Sequence, residues 1–295
     1  MIETFIVQPG HFIDLHQRPT DYVEPDLKKK YGKKRMKKNR DAIAQLQDQF
    51  YAHDRYSMLL VFQALDAAGK DSTVKHVLQK VRPQGIRFRD FMPPSEEELQ
   101  QDYLWRVHKY APRRGIINIF HRSYYEDVTA SRVHPEFILK QQLPNIHETA
   151  DIKDRLWNER YRQINDFETM LTENGTIILK FFLHVSLEQQ SRRFLKRMRR
   201  EDKHWKFSEK DIEEQQFREE YLNVYEKAIN HTSTDLAPWY IIPADRKWYM
   251  RYLVSEIILQ RMKSLDLAYP GLSLSSNQDI EAIRETLKRK IDRDK

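Results

Sequence analysis

Four short apolar runs punctuate the chain: SMLLVFQ at 57–63, IINIF at 116–120, TIILKFFLHV at 176–185 and WYII at 239–242. Each is rich in β-branched and aromatic residues and apolar at successive positions, as expected of strands buried on both faces of a parallel sheet. Polar stretches with helical signals lie between them. One is Ser95-Glu96-Glu97-Glu98 after Pro93-Pro94, a Ser N-cap with Glu three residues on. The alternation predicts the α/β class: a doubly wound, three-layer α/β/α fold with a mainly parallel sheet. Over 187–200, Leu187, Ser191, Phe194, Leu195 and Met198 share one helical face, flanked by Arg193 and Arg197, while Arg192, Lys196, Arg199 and Arg200 face away. That spacing predicts a helix that docks its apolar stripe on the sheet and presents arginines outward.

Composition narrows the chemistry. The 295 residues contain no cysteine, which excludes disulfides, zinc fingers, iron–sulfur clusters and thiol catalysis. The eleven histidines show no HExxH-like spacing, which argues against zinc. No basic-then-apolar leader and no run of eighteen apolar residues occurs, so a soluble cytoplasmic protein without a membrane partner is expected. The net charge of +7 is unevenly spread: residues 28–40 hold nine basic residues and no acid, residues 192–206 hold eight basic and two acidic, and the remainder carries −8. Either the two runs are solvated helix faces or they serve a polyanionic partner.

The most informative segment is residues 57–78, where the first apolar run leads into Ala64-Leu65-Asp66-Ala67-Ala68-Gly69-Lys70 and then a helix-compatible stretch. Strand, compact turn and helix N-terminus is the context of a phosphate-binding loop, whose free N–H groups and dipole attract an anion. The candidate phosphate-binding residues are Ala67, Ala68, Gly69, Lys70, Asp71, Ser72 and Lys75. Two positions depart from the usual pattern: Ala64 replaces the first glycine, and Asp71 stands where Ser or Thr normally ligates Mg²⁺. Only Gly69 of the chain's seven glycines falls in the loop. Its alanines therefore predict ordinary backbone angles everywhere but at Gly69.

The segment FQALDAAGKDSTVKHV resembles the loop of the family-2 polyphosphate kinases. The likeness continues in order through Asp102-Tyr103-Leu104-Trp105-Arg106, Phe120-His121-Arg122-Ser123-Tyr124-Tyr125-Glu126, Arg132-Val133-His134-Pro135-Glu136, Lys180-Phe181-Phe182-Leu183-His184-Val185-Ser186, Arg193-Phe194 with Arg197, Trp205-Lys206-Phe207-Ser208, and Pro243-Ala244-Asp245 with Lys247-Trp248. The DYLWR, RVHPE and WKFS segments are most similar to class III, which phosphorylates nucleoside mono- and diphosphates. The resemblance implies a P-loop kinase-like fold with a helical lid, a Mg²⁺ cofactor with Mn²⁺ as substitute, a homo-oligomer, and inorganic polyphosphate with AMP, ADP and ATP as substrates, adenine being preferred over guanine. The charge run and the charged, helix-like tail after SSNQD divide the chain into a basic N-terminal arm at 1–50, a phosphotransferase domain at 51–270 and a peripheral helix at 271–295, with the lid that the resemblance implies at about 187–232.

His121 departs from the family, which has Asp or Asn there. A neutral imidazole is a poor Mg²⁺ ligand, so the metal role is expected to fall on Glu126 together with Asp66. Transfer to an already ionised phosphate oxygen needs charge neutralisation and alignment, with no strong general base. Asp66, Lys70, Arg122 and Glu126 are therefore the candidate catalytic residues. Arg132, Arg193 and Arg197 are candidate substrate and lid cations along the sheet's carboxyl edge. Each has an alternative: Arg122 and Arg132 as partners of Glu126 and Glu136, Asp66 as a loop hydrogen-bond acceptor, the arginines of the basic helix as plain surface. Competing functions are an ATP-dependent nucleoside monophosphate kinase and a nucleic-acid-binding protein. For the latter no helix-turn-helix, RNP-like or zinc-finger pattern accompanies the charge.

Overall fold

All four apolar runs are strands of one parallel sheet, and a fifth joins them: β1 (Ser57–Gln63), β2 (Ile86–Asp90), β3 (Ile117–His121), β4 (Thr176–His184) and β5 (Trp239–Pro243). The computed structural model describes residues 2–202, 212–271 and 277–293. The strand order is β2-β3-β1-β4-β5, every pair parallel. Every residue of β1 and β4 is buried, which is why both read as continuous apolar runs. β2, IRFRD, lies at the sheet edge and leaves Arg87 and Phe88 exposed, so its sequence carries no such run.

Among the described residues seven longer helices accompany the strands: α1 (Lys29–His53), α2 (Lys70–Val77), α3 (Asp154–Glu173), α4 (Leu187–Met198), α5 (Arg218–Thr232), α6 (Lys247–Lys263) and α7 (Asn277–Arg293). Short helical turns fill the β2–β3 and β3–α3 connections; that at Glu96–Leu99 has the Ser95 capping box. Because β1 is followed on one side by β3 and on the other by β4, the order reverses at its carboxyl end. A crevice opens at such a switch point, and ligands of open α/β sheets bind there.

Residues 2–53 pack as part of this fold, where the charge pattern predicts a solvated arm. Ile6 bridges Tyr240 antiparallel at the β5 edge, and Phe5, Val7 and Leu15 are buried. The basic run lies on α1, where Gly32, Met36, Asn39, Ile43, Gln47 and Phe50 recur at intervals of three and four and are buried. A Cβ on Gly32 would collide with the Trp248 ring, so glycine there allows α1 to approach α6 closely. Asn39 reinforces the contact, donating to Ser255 Oγ at 3.1 Å and Glu256 Oε2 at 2.8 Å. The lysines between these positions stay exposed. A polar inward face made of Gly, Asn and Gln carries no hydropathy signal, which is why the run looks like an arm.

Candidate active site

The loop after β1 turns at the switch point. Ala64 and Ala68 are buried, and Lys70 Nζ spans the loop to donate to the Ala64 carbonyl at 2.8 Å. Gly69 precedes α2 with φ +103°, and its carbonyl accepts from Thr73 Oγ1 at 2.9 Å and Ser72 Oγ at 3.1 Å. Ala67 also has a positive φ, +57°. This corrects the expectation that Gly69 alone leaves the ordinary backbone regions: the loop reverses through two left-handed residues, one carrying a methyl group at a cost of about 1–2 kcal/mol.

That strain is offset from α4. Arg193 is 8% exposed and its guanidinium is committed to backbone carbonyls: Nη1 donates to Ala67 at 3.1 Å and Ala68 at 2.5 Å, Nη2 to Ala244 at 2.5 Å and Asp245 at 3.2 Å. One turn before it, Gln190 donates to the Asp66 carbonyl at 3.0 Å. α4 is thus rotated relative to the face its apolar residues predict. Gln190, Arg193 and Phe194 point inward, while Leu187, Leu195 and Met198 are 51%, 55% and 47% exposed. The loop's carbonyls need donors, and satisfying buried polar groups outweighs hiding three apolar side chains. Arg193 therefore holds the loop from behind and does not present itself outward. Arg197 lies over the Phe194 ring at 5.3 Å.

The second half of the site comes from the end of β3. Arg122 takes a left-handed φ of +49° and Ser123 caps the turn Tyr124–Asp127 through its hydroxyl. The Gln63 amide, oriented so that both ends are paired, donates to Glu126 Oε1 at 3.1 Å and accepts from Ser123. Burial raises the Glu126 pKa, and Lys70, Arg122 and the Gln63 hydrogen bond oppose that rise, while Asp66 adds to it. One departure from the usual loop pattern meets the departure from the family in space: His121 Nδ1, at the end of β3, lies 3.2 Å from Asp71 Oδ1. The imidazole and carboxylate thus occupy each other.

A cavity of about 610 Å³ gathers Asp66, Lys70, Arg122 and Glu126, a volume suited to a small phosphorylated ligand. Arg132, Lys75, Arg193 and Arg197 are not among its walls. Arg132 donates to Asp154 at 2.8 Å and to the Tyr161 hydroxyl at 3.2 Å, a pairing with a different carboxylate from the Glu136 alternative. Lys75 is exposed on α2. In their place stand two arginines. Arg218 of α5 donates to the Val185 carbonyl at 2.7 Å and Gln190 Oε1 at 3.1 Å, and Arg106, from the DYLWR segment, donates to the Met92 carbonyl at 2.7 Å. Arg218 sits among acidic helix residues and carries no sequence signal; Gln63 and Gln190 likewise escaped notice, because glutamines have no motif. Trp205-Lys206-Phe207-Ser208 and the tail of the second basic run lie outside the described residues.

Among the described residues no three His, Asp or Glu side chains form a ready-made metal cage. Asp66 and Glu126, both lining the cavity, nevertheless fit Mg²⁺, which usually takes one or two carboxylates and completes its shell with water and substrate phosphates.

A second, open groove of about 920 Å³ lies where α1 meets the start of α6, lined by Lys28, Lys29, Lys33, Arg246, Lys247 and Arg251 and, among the described residues, by one acid, Glu24. Burial, then the charges of Arg193, Arg251, Lys196 and Arg197, lowers the Lys247 pKa to about 8.

A parallel sheet of this order, with a lysine-bearing loop at its switch point and carboxylates and arginines facing it, defines a phosphotransferase with a P-loop kinase-like fold. Residues 26–269 match the family model of polyphosphate kinase 2 (PPK2). The chain is 40% identical over 284 residues to the ADP-polyphosphate phosphotransferase of Rhodopseudomonas palustris, covering 96% of this chain and 97% of that one. It is 43% identical over 236 residues to the AMP/ADP-polyphosphate phosphotransferase of Meiothermus ruber, covering 80% and 83%. The crystal structure of polyphosphate kinase 2 from Arthrobacter aurescens superposes with a TM-score of 0.86 at 32% identity, covering 96% of both chains. The chain belongs to the polyphosphate kinase 2 family, and its activity is polyphosphate-dependent phosphoryl transfer to a nucleotide.

Proposed function

We propose that the enzyme transfers the terminal phosphoryl group of inorganic polyphosphate to AMP and ADP, giving ADP and ATP, and catalyses the reverse. The convergence of Asp66, Lys70, Arg122 and Glu126 on one cavity carries this reading. The backbone N–H groups of 67–72, at the start of α2, and the Lys70 ammonium hold the donor phosphate. Arg122 and Arg218 balance the charge of the transferring group and the acceptor. Asp66 and Glu126 are the ligands for Mg²⁺, with Mn²⁺ as its substitute; when bound, the metal neutralises phosphoryl oxygens and helps align them. The acceptor oxygen is already ionised, so no side chain has to remove a proton.

Polyphosphate as donor is supported by the second groove, lined by cations and close enough to Arg193, which braces the loop, for that charge to act on Lys247. The printed activities of the Rhodopseudomonas and Meiothermus relatives support AMP and ADP as acceptors. Guanine nucleotides are secondary substrates in this reading. No helix among the described residues is long and apolar enough to cross a membrane. On the family resemblance, and not on that absence, we assign the enzyme to the cytoplasm as a homo-oligomer. Supplying AMP, Mg²⁺ and polyphosphate without ATP tests the reading: ADP and then ATP should accumulate. Turnover only with ATP as donor would make the chain an ordinary nucleoside monophosphate kinase and overturn it.

A further inference from the structure

Beneath the cavity a charged pair is sealed in the core. Lys180, in the middle of β4, and Glu168, on α3, are 0% and 1% exposed. Lys180 Nζ donates to Glu168 Oε2 at 2.6 Å, to the Tyr125 hydroxyl at 2.9 Å and to the Thr232 carbonyl at 2.6 Å, which uses all three ammonium protons. Glu168 Oε1 accepts from the Tyr124 hydroxyl at 2.7 Å and the Tyr125 hydroxyl at 2.9 Å. Burial lowers the Lys180 pKa and the Glu168 carboxylate opposes that shift.

Such a pair adds little net stability, because removing two charges from water offsets most of their attraction; a well-packed apolar pair often does as well. What apolar side chains cannot supply is direction. The hydrogen bonds of Lys180 and Glu168 fix the rotation of Tyr124 and Tyr125, the two residues immediately before Glu126 in the same turn. They also fix the Thr232 end of α5, whose other end brings Arg218 to the cavity. Neither Lys180 nor Glu168 reaches the cavity.

We propose that Lys180 and Glu168 are positioning residues for phosphoryl transfer, holding the turn 124–127 and helix α5 so that Glu126 and Arg218, which both line the cavity, are kept at a set spacing. The inference rests on the role given to Glu126 above, and its test separates the two.

The double variant K180M/E168L removes both charges and leaves neither unpaired. Tyr125→Phe removes one hydroxyl and keeps the ring. Glu168→Gln keeps an acceptor for the tyrosines. Each is measured for thermal unfolding, for kcat and KM, and for Mn²⁺ affinity with tripolyphosphate present. The double variant and Tyr125→Phe should still unfold cooperatively, at a lower temperature because each leaves buried polar atoms unpaired; well below that temperature they should lose about tenfold or more in kcat at little-changed KM and bind Mn²⁺ about tenfold more weakly, the scale seen when the support of a metal ligand is removed. Glu168→Gln keeps an oxygen acceptor for the tyrosines but leaves the Lys180 ammonium without its counter-charge, so it should unfold at a lower temperature yet, where folded, keep more kcat and Mn²⁺ affinity than Tyr125→Phe. Parental kcat and Mn²⁺ affinity in a folded Tyr125→Phe would overturn the proposal, and that variant decides alone if the double one fails to fold. Should Glu126→Gln leave Mn²⁺ affinity untouched, the metal role of Glu126 fails; a loss of kcat at constant KM in Tyr125→Phe would then still support positioning, and its absence would overturn it.

Discussion

Lys70 reaches back across its own loop to the Ala64 carbonyl, so a phosphate arriving in the loop competes for an ammonium already held at the right place. Lys70→Ala should lower kcat/KM by about 10²–10³-fold, the scale of losing one preorganised charge partner of a transition state. A steady-state assay with AMP and polyphosphate measures this. Glu126→Gln should raise the Mg²⁺ concentration needed for half-maximal rate, because a neutral amide oxygen is a weaker cation ligand than a carboxylate; an unchanged Mg²⁺ titration would remove Glu126 from the metal site. Gly69→Val puts a β-branched side chain at φ +103° and should abolish phosphate binding. His184 behaves differently. Burial, with the charge of Arg218, lowers its pKa to about 4, so the ring is neutral in the folded state and protonates near 6.5 when unfolded. Its contribution to stability is fully present above pH 6.5 and is lost as pH falls toward 4. His184→Gln should flatten that part of a stability–pH curve.

At the scale of elements, α4 is where sequence pattern and structure diverge most. Its apolar residues Leu187, Leu195 and Met198 are contiguous on a helical wheel, yet the helix turns Gln190 and Arg193 inward because the loop carbonyls of Asp66, Ala67 and Ala68 have to be satisfied. Leu195→Lys should change stability by no more than about 0.5 kcal/mol, as surface substitutions do. Arg193→Lys, which loses the fork, should cost roughly 1.5–3 kcal/mol and reduce turnover as the loop loosens. Paired thermal unfolding and kinetics of the two variants distinguish the inward arginine from the outward stripe. The same competition hid α1, since its buried face is built from Gly32, Asn39 and Gln47 as much as from Met36 and Ile43. β1 and β4 were legible because burial on both faces leaves no choice but apolar residues. The edge strand β2 was not, because half its surface meets solvent.

Across the whole molecule, the two basic segments far apart in sequence approach each other: Lys28, Lys29 and Lys33 line one groove with Lys247 and Arg251, and Lys196 and Arg197 act on Lys247 from α4. In the proposed reading this groove holds the donor chain beyond the reacting phosphates. Lys29→Ala with Lys33→Ala should therefore raise KM for long polyphosphate several-fold, with little change for tripolyphosphate, and added salt should shrink the difference. Lys247 gives this a pH signature. With its pKa near 8 it is charged below that value and neutral above it, so affinity for long chains should fall as pH rises through 8. Lys247→Met should remove that step and leave the reaction with tripolyphosphate unaffected.

What the sequence determined by itself was whatever local physics or motif chemistry imposes: four buried strands, the loop ending in Gly69-Lys70, the likeness to the polyphosphate kinases and the cavity quartet of Asp66, Lys70, Arg122 and Glu126. Tertiary structure decided what depends on the partner of each polar group. It turned Arg193 from a substrate clamp into the loop's support, paired His121 with Asp71, tied Arg132 to Asp154, and brought in Arg218 and the buried Lys180–Glu168 pair. A cation on a helix carries the same one-letter code whether it meets solvent, a carboxylate or a ring of carbonyls. Only the packed chain shows which of these meets its charge.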